Sequence, residues 1–516
     1  MKLRRKTIIL CLFLEVVLAS KSYAAEEPRK LVNHLEVARQ HANCGEWQEA
    51  IESYDKALTH SRKDAFCLAR RGYAFARLGN FRQAFVDFAG AIECDTNCAD
   101  AYSRRSLAYS WLGLKKFAQR DARTALTLIG TAPKDPHLLL EHAGLLYILE
   151  KSKEADEESK QVLASCAKGT DVSTLFLAST ALRQLGQYQD LLSCVNRALK
   201  LSPDCADLHW LRAGSYAGLN QWSLCGADMD QVLHSSPKNP MASCGRGYCY
   251  FFQGNNAKAA ACLDQAIKLE PDYALAFYWR GRTDHDLNKH QNAIDDFTAA
   301  IALDGTESSW FQERADNYWH QKKWQEALKD THQALALDPK CWRAYLTQGA
   351  AHNELKQFTE ALDDESKAVA LAPKNDSVYF ERGMSYRHQK QYKKAIADLT
   401  ESIKRSPKNA IYFCARGSAF VSDHQYQRAI SDCNQSLKLN AHRTHPHLSR
   451  GIAYSKLSQY KLALQDLDEA IRQSPDYGEA YYQRGLVYKS LGKQTLYKGD
   501  LEKAKALGYG SAEAMR

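Results

Sequence analysis

From Glu381 to Ile403 the chain reads ERGMSYRHQKQYKKAIADLTESI, and its Arg382 before a glycine and Asp398 sixteen residues later form a couple that returns every 34 residues. Arg416 with Asp432, Arg450 with Asp466, Arg484 with Asp500 and, upstream, Arg280 with Asp296 hold the same two places. A 34-residue period is too short to be a domain. It describes one supersecondary unit that can bury its apolar face only against its neighbours, so the 516 residues form a stacked array rather than two to four separate globular domains.

In-phase units start at 206, 240, 274, 308, 342, 376, 410, 444 and 478 without a slip, and two more at 65 and 99 are clear. A first unit from 31 and two degenerate ones near 136 and 172 bring the total to about fourteen. The eighth residue of a unit is small, as in Gly72, Gly281 and Gly383, and the eleventh is usually aromatic, as in Phe75, Tyr318 and Tyr386. Small against large at fixed offsets is how two helices interlock. Proline closes many units, for example Pro203, Pro271 and Pro407, where it stops a helix.

Period and spacing, with Ala84 before Phe88 and Ala293 before Phe297, resemble the tetratricopeptide repeat (TPR). The resemblance implies an all-α fold, a right-handed superhelical solenoid of about 14 TPR helix-turn-helix repeats whose concave groove is lined by the first helix of each. The expected layout is a signal peptide at 1–24, a short segment at 25–30, repeats 1–3 at 31–135, degenerate repeats 4–5 at 136–205, regular repeats 6–14 at 206–511 and a tail at 512–516.

Arg and Asp share positions seven and twenty-three in nine repeats, while the three poorest units hold Val37 with Ser53, His142 with Glu158, and Ala178 with Cys194. In an antiparallel hairpin these positions lie near one level. The expectation is a structural ladder of partly buried Arg–carboxylate pairs, within a repeat or with its neighbour.

The first residues are of another kind. A basic start, the apolar TIILCLFLEVVLA and the exit Ser22-Tyr23-Ala24 read as a secretory leader cleaved after Ala24, giving a secreted or periplasmic protein; an uncleaved leader anchoring the chain to a membrane is the rival reading. No later stretch is apolar enough for a span. The net charge of +9 falls to near +5 without the leader, 64 basic against 59 acidic residues, a mixed surface that argues against nucleic acid as a partner.

The repeats leave no room for a catalytic module, and neither a phosphate-binding glycine loop nor a nucleophile elbow is present, so no catalytic residue, cofactor or metal is assigned and the chain is read as no enzyme. By the geometry that the resemblance implies, the peptide-binding groove candidates are Trp210, Tyr248, Phe251, Phe252, Tyr278, Arg282, His285, Asp286, Asp316, Trp319 and His320. They mix aromatic anchors with charge, as binding hot spots do.

The clamp with which chaperone-binding members of that family hold a terminal carboxylate is missing, since position five carries Trp210, Cys244, Tyr278, Gln312, Leu346, Phe380 and Cys414. Fourteen cysteines remain after the leader, too few for a disulfide-built scaffold, though Cys94 and Cys98 are near enough for a local bridge.

The reading is a protein-interaction scaffold that takes a protein or peptide partner in its groove. The alternatives are a structural subunit of an envelope or secretion assembly, and a metal-dependent enzyme around His285, Asp286 and His320. The degenerate units at roughly 136–203 are expected to be the weak joint.

Overall fold

The computed structural model describes residues 33–42, 45–61 and 63–509; the leader, the segment to residue 30 and the tail at 512–516 lie outside them. The described residues form 28 helices and no strand. These make fourteen hairpins, each a first helix of about 13 residues and a second of about 14, such as Ala65–Arg77 with Phe81–Cys94 or Asp376–His388 with Tyr392–Arg405.

Every hairpin turns through one left-handed residue at its fifteenth position: Gly45, Gly79, Gly113, Glu150, Gly186, Asn220, Gly254, Asn288, Lys322, Lys356, Lys390, His424, Ser458 and Gly492, with φ between 57° and 83°. That conformation reverses the chain within a few residues, which a right-handed helix cannot do. Where the sequence drifts most, at Glu150 and Gly186, the turn is still in place.

The small eighth residue is set by packing. A Cβ on Gly72 would sit 3.0 Å from the ring of Phe88, one on Gly281 3.0 Å from Phe297, and one on Gly383 3.1 Å from Leu399. The partner is the twenty-fourth residue of the same repeat, fully buried in each case. Repeats 4 and 5, Pro136–Ile148 with Ser152–Ser165 and Val172–Gln184 with Tyr188–Leu201, pack instead through a leucine-rich core that includes Leu140, Val162, Leu182, Leu191 and Leu208.

Two compact units divide the chain, one to Glu313 and one from Arg314. The first closes on itself. The turn at Gly79 lies against Asn239 and Pro240, which open repeat 7, and the turn at Gly113 lies against Leu275 of repeat 8. Asn239 Nδ2 donates to the Arg77 carbonyl at 3.2 Å, the Lys116 backbone N–H donates to Asp304 Oδ2 at 2.6 Å, and Lys115 Nζ lies 3.0 Å from Glu307. Repeats 2 and 3 are thereby sealed against repeats 7 and 8.

No described cysteine is in a disulfide. Cys94 is exposed at the end of a second helix, whereas Cys98 is turned into the packing of Ala69, Ala91 and Ala101, so the local bridge expected between them is not made. Cys249 Sγ donates to Cys225 Sγ across repeats 6 and 7 at 2.8 Å.

Candidate peptide-binding cavity

The seam in the first unit is fastened by one carboxylate. Asp207, at the start of repeat 6, accepts from Trp47 Nε1 at 2.9 Å and from the Arg77 guanidinium. Arg77 lies among three rings, 5.2 Å from the centre of Trp47, 5.9 Å from Tyr73 and 5.6 Å from Trp111. Such a cation is held by ring faces as well as by its counter-ion. Burial works against the charge, but Asp207 and the Tyr73 hydroxyl leave Arg77 more basic than a free guanidinium.

The seam encloses a cavity of about 510 Å³, a size typical of ligand sites. First helices supply much of its wall, with Tyr73 and Arg77 from repeat 2, Trp111 from repeat 3, Glu141 from repeat 4, Phe176 and Arg183 from repeat 5, and Trp210 from repeat 6. Trp47 and Val232 come from second helices, and Asn239 and Tyr273 from turns. Glu141 is taken up by Arg104, whose Nη2 donates at 3.0 Å while its Nε serves Asp100 at 2.9 Å. Arg183 differs. It faces the cavity, makes no ion pair or hydrogen bond among the described residues, and is made less basic than usual first by burial of the guanidinium in the cavity wall and then by the nearby charge of Arg77.

The groove candidates read from sequence do not gather at one place. Trp210 lines the cavity. Tyr248, Phe251 and Phe252 join Trp222 and Trp279 in a separate aromatic cluster, where Phe252 is stacked on Trp222 at 4.4 Å and stays 42% exposed, while Phe251 is buried. Arg282 lies over Phe251 and Trp279 at 5.3 and 5.6 Å. Tyr278 is half-buried and packs on Trp279, Phe297 and Trp310, as core does. The ring of His285 meets that of His290 edge-on at 5.6 Å, and Asp286 is exposed.

In the second unit Asp316 accepts from Thr347, Trp319 packs against Trp324 at 5.9 Å with its Nε1 buried and unpartnered, and His320 meets Trp319 at 5.2 Å. Among the described residues no three or more His, Cys, Asp or Glu side chains are placed to hold a metal ion.

Trp47, Tyr73, Arg77, Trp111 and Arg183 are cavity residues that reading the sequence missed. Tyr73 and Arg77 stand at positions nine and thirteen of repeat 2 and Trp111 at thirteen of repeat 3, the positions that Tyr248, Arg282, Asp316 and His320 occupy among the groove candidates of later repeats. Nothing in the sequence joins repeats 1–3 to repeats 6–8.

The charge couples are side-on pairs in all nine repeats, with Nε and Nη2 of each Arg donating to the two oxygens of its Asp at 2.5–3.1 Å. Their carboxylates are only 1–10% exposed. In several repeats Nη1 reaches back to position twenty-five of the preceding unit: Arg71 to Asp55 at 2.6 Å, Arg280 to Asp264 at 2.7 Å, Arg382 to Ser366 at 3.4 Å, Arg416 to Thr400 at 3.1 Å, and Arg484 to Asp468 at 2.7 Å. In degenerate repeat 4 the same two positions are joined differently, with His142 Nδ1 2.8 Å from Glu158 Oε2. Burial alone would raise the pKa of Asp466, but hydrogen bonds from Arg450 and His447 outweigh it and hold the carboxyl below its usual range.

A tetratricopeptide-repeat model matches residues 244–308 and 313–376, a second of that description matches 377–409, and a TPR repeat model matches 451–492. Among curated relatives, the human DnaJ homolog subfamily C member 7 is 22% identical over 266 residues, which is 51% of this chain and 48% of that protein. Human tetratricopeptide repeat protein 6 is 26% identical over 276 residues, 50% of this chain and 53% of that one. The chain thus spans about half the length of these relatives. Similar solved structures include the APC/C hetero-tetramer Cut9-Hcn1, at TM-score 0.46 and 16% identity over 87% of this chain and 95% of that one, and yeast Tom70, at 0.36 and 14% over 93% and 99%.

Proposed function

We propose, from the premise that this chain carries tetratricopeptide repeats, that it is a non-enzymatic protein-interaction scaffold which takes a peptide segment of its partner on the inner wall of the first unit. The observation that carries this reading is the cavity lined largely by first helices, with Trp111, Phe176 and Trp210 as apolar surface and Arg183 as a charge unpaired among the described residues. Aromatic side chains supply much contact area at little entropic cost, which suits a peptide anchor. The exposed stack of Phe252 on Trp222 offers a second apolar contact on the same unit.

Affinity capture from native extract, read by mass spectrometry, tests the reading. The intact chain is compared with a Trp111→Ala/Trp210→Ala variant that keeps its far-ultraviolet circular dichroism. Partners held by the intact chain and lost by the variant support the cavity as the site. Partners retained equally by both would place binding elsewhere.

Export is part of the proposal and rests on the basic, apolar and small-residue order of residues 1–24. Amino-terminal sequencing of the protein from its native source is expected to begin at Ala25. Recovery of the chain with residues 1–24 attached would replace cleavage with membrane anchoring.

A further inference from the structure

We propose that Cys225 and Cys249 are a redox-active pair, which a small-molecule disulfide oxidises to a bond that locks repeat 6 to repeat 7. This lock goes beyond the peptide-binding reading and does not depend on it.

Cys225 is the twentieth residue of repeat 6 and Cys249 the tenth of repeat 7. The same two positions, again 24 residues apart, hold Ala84 with Ala108, Ala327 with Ala351 and Ala429 with Ala453. Each of these alanine pairs is fully buried in one shared cluster. A second helix and the first helix that follows approach closely enough here for methyl groups to fill the gap. Between repeats 6 and 7 the gap holds two thiols instead. Both are free and buried, and their sulfurs are 2.8 Å apart, little beyond a disulfide bond of about 2.0 Å. Other buried thiols turn to carbonyls: Cys67 donates to that of Tyr54 at 3.6 Å and Cys194 to that of Leu175 at 3.5 Å.

The two thiols have different parts in the reaction. Cys225 lies in the first turn of the helix Trp222–Ser235. The hydrogen bond from Cys249 outweighs burial, and the charge of Arg246 adds to it, so the Cys225 thiol lies below its ordinary pKa. Cys249, the donor of that bond, is pushed up. The Cys225 thiolate attacks one sulfur of the oxidant, and the oxidant's other sulfur leaves as a thiolate and takes up a proton. Cys249 then gives up its proton and attacks the Cys225 sulfur of the mixed disulfide, releasing the second oxidant thiol. One S–S bond breaks in the oxidant and one forms in the protein. Two electrons and two protons pass to the oxidant.

The bond would fall behind the seam. Repeat 6 supplies Asp207, which accepts from Trp47 and Arg77, and repeat 7 opens with Asn239 and Pro240, which meet the Arg77 carbonyl and Gly79. Joining the two hairpins ties both of these contacts to one rigid support.

The test uses the full chain, equilibrated in buffers from excess reduced to excess oxidised glutathione, then quenched with acid and alkylated. In excess oxidised glutathione, peptide mass spectrometry is expected to find residues 225 and 249 in one cross-linked product, two hydrogens lighter than its parts. Amides in the helices Trp222–Ser235 and Pro240–Phe252 are expected to exchange at least about tenfold more slowly in the oxidised chain, because the bond restricts the open state. Cys225→Ala and Cys249→Ala install the residue that other repeats carry at these positions, so both are expected to fold and to lose the redox dependence of exchange.

Residues 225 and 249 recovered as separate alkylated peptides from excess oxidised glutathione would overturn the inference, as would Cys225 left as a mixed disulfide with glutathione. A cross-link that leaves exchange in these two helices unchanged would show that nothing is locked. Redox dependence that persists in both alanine variants would assign the effect to other cysteines and overturn it as well.

Discussion

At the residue scale the repeated Arg–Asp couple is the clearest case of chemistry carried by spacing. An exposed ion pair contributes at most about 1 kcal/mol, but these are side-on pairs with carboxylates almost wholly out of water. The expected coupling between Arg382→Ala and Asp398→Ala in a double-mutant cycle is about 1–3 kcal/mol, measured by urea denaturation. A value near zero would mean that the pairs merely coexist. Glu365 is the odd residue of this class. It occupies the twenty-fourth position, where other repeats place Phe88, Phe297, Leu399 or Leu467, and is 2% exposed. Its Oε1 accepts from Asn353 and Ser385, its Oε2 has no partner, and burial pushes its pKa up to about 8. The folded state therefore keeps a proton that the unfolded chain releases near 4.5. Stability from this group is present below pH 4.5 and is lost as pH rises towards 8. Denaturation at pH 5 and at pH 8 should show that loss in the native chain and a smaller one in Glu365→Gln.

At the element scale the hairpin turn is the feature that survives all sequence drift. Eight of the left-handed residues are not glycine, among them Lys390 at φ 61°, and a side chain there costs on the order of 1 kcal/mol. Lys390→Gly is expected to stabilise the second unit by roughly 0.5–1 kcal/mol, seen as a higher midpoint of urea unfolding. Gly79 and Gly254 compare the same turn with and without the seam. Both are left-handed, at φ 83° and 73°, but a Cβ on Gly79 would lie 2.5 Å from Pro240 Cδ, whereas one on Gly254 meets nothing within 4 Å. Gly254→Ala should cost only the backbone penalty of about 1 kcal/mol, and Gly79→Ala clearly more. Equal costs would mean that the seam yields without loss.

At the scale of the whole molecule, an array of hairpins that touch only their neighbours should unfold repeat by repeat, but the first unit has contacts that skip several repeats. Asp207→Ala is therefore expected to speed amide exchange in repeats 1–3 and in repeats 6–8 together. Acceleration confined to repeat 6 would show that the clasp is energetically idle. Repeat 5 has neither member of the charge couple, its two positions being Ala178 and Cys194. Amides at 136–203 are accordingly expected to exchange faster than those at 410–475, although the leucine core of the region opposes this.

The sequence by itself determined the repeat, its phase from 206 onward, its small-against-large interlock and its charge couples, because each depends on residues within about one period of one another. The phase of the degenerate repeats became plain through the backbone, where Glu150 and Gly186 adopt a left-handed turn that nothing in their identities shares. Only the tertiary structure decided where the cavity lies. Asp207 is ordinary as the second residue of repeat 6, and Arg77 and Trp47 are ordinary groove and hairpin positions. Their meeting depends on small rotations accumulated from one repeat to the next, a sum that no local pattern records.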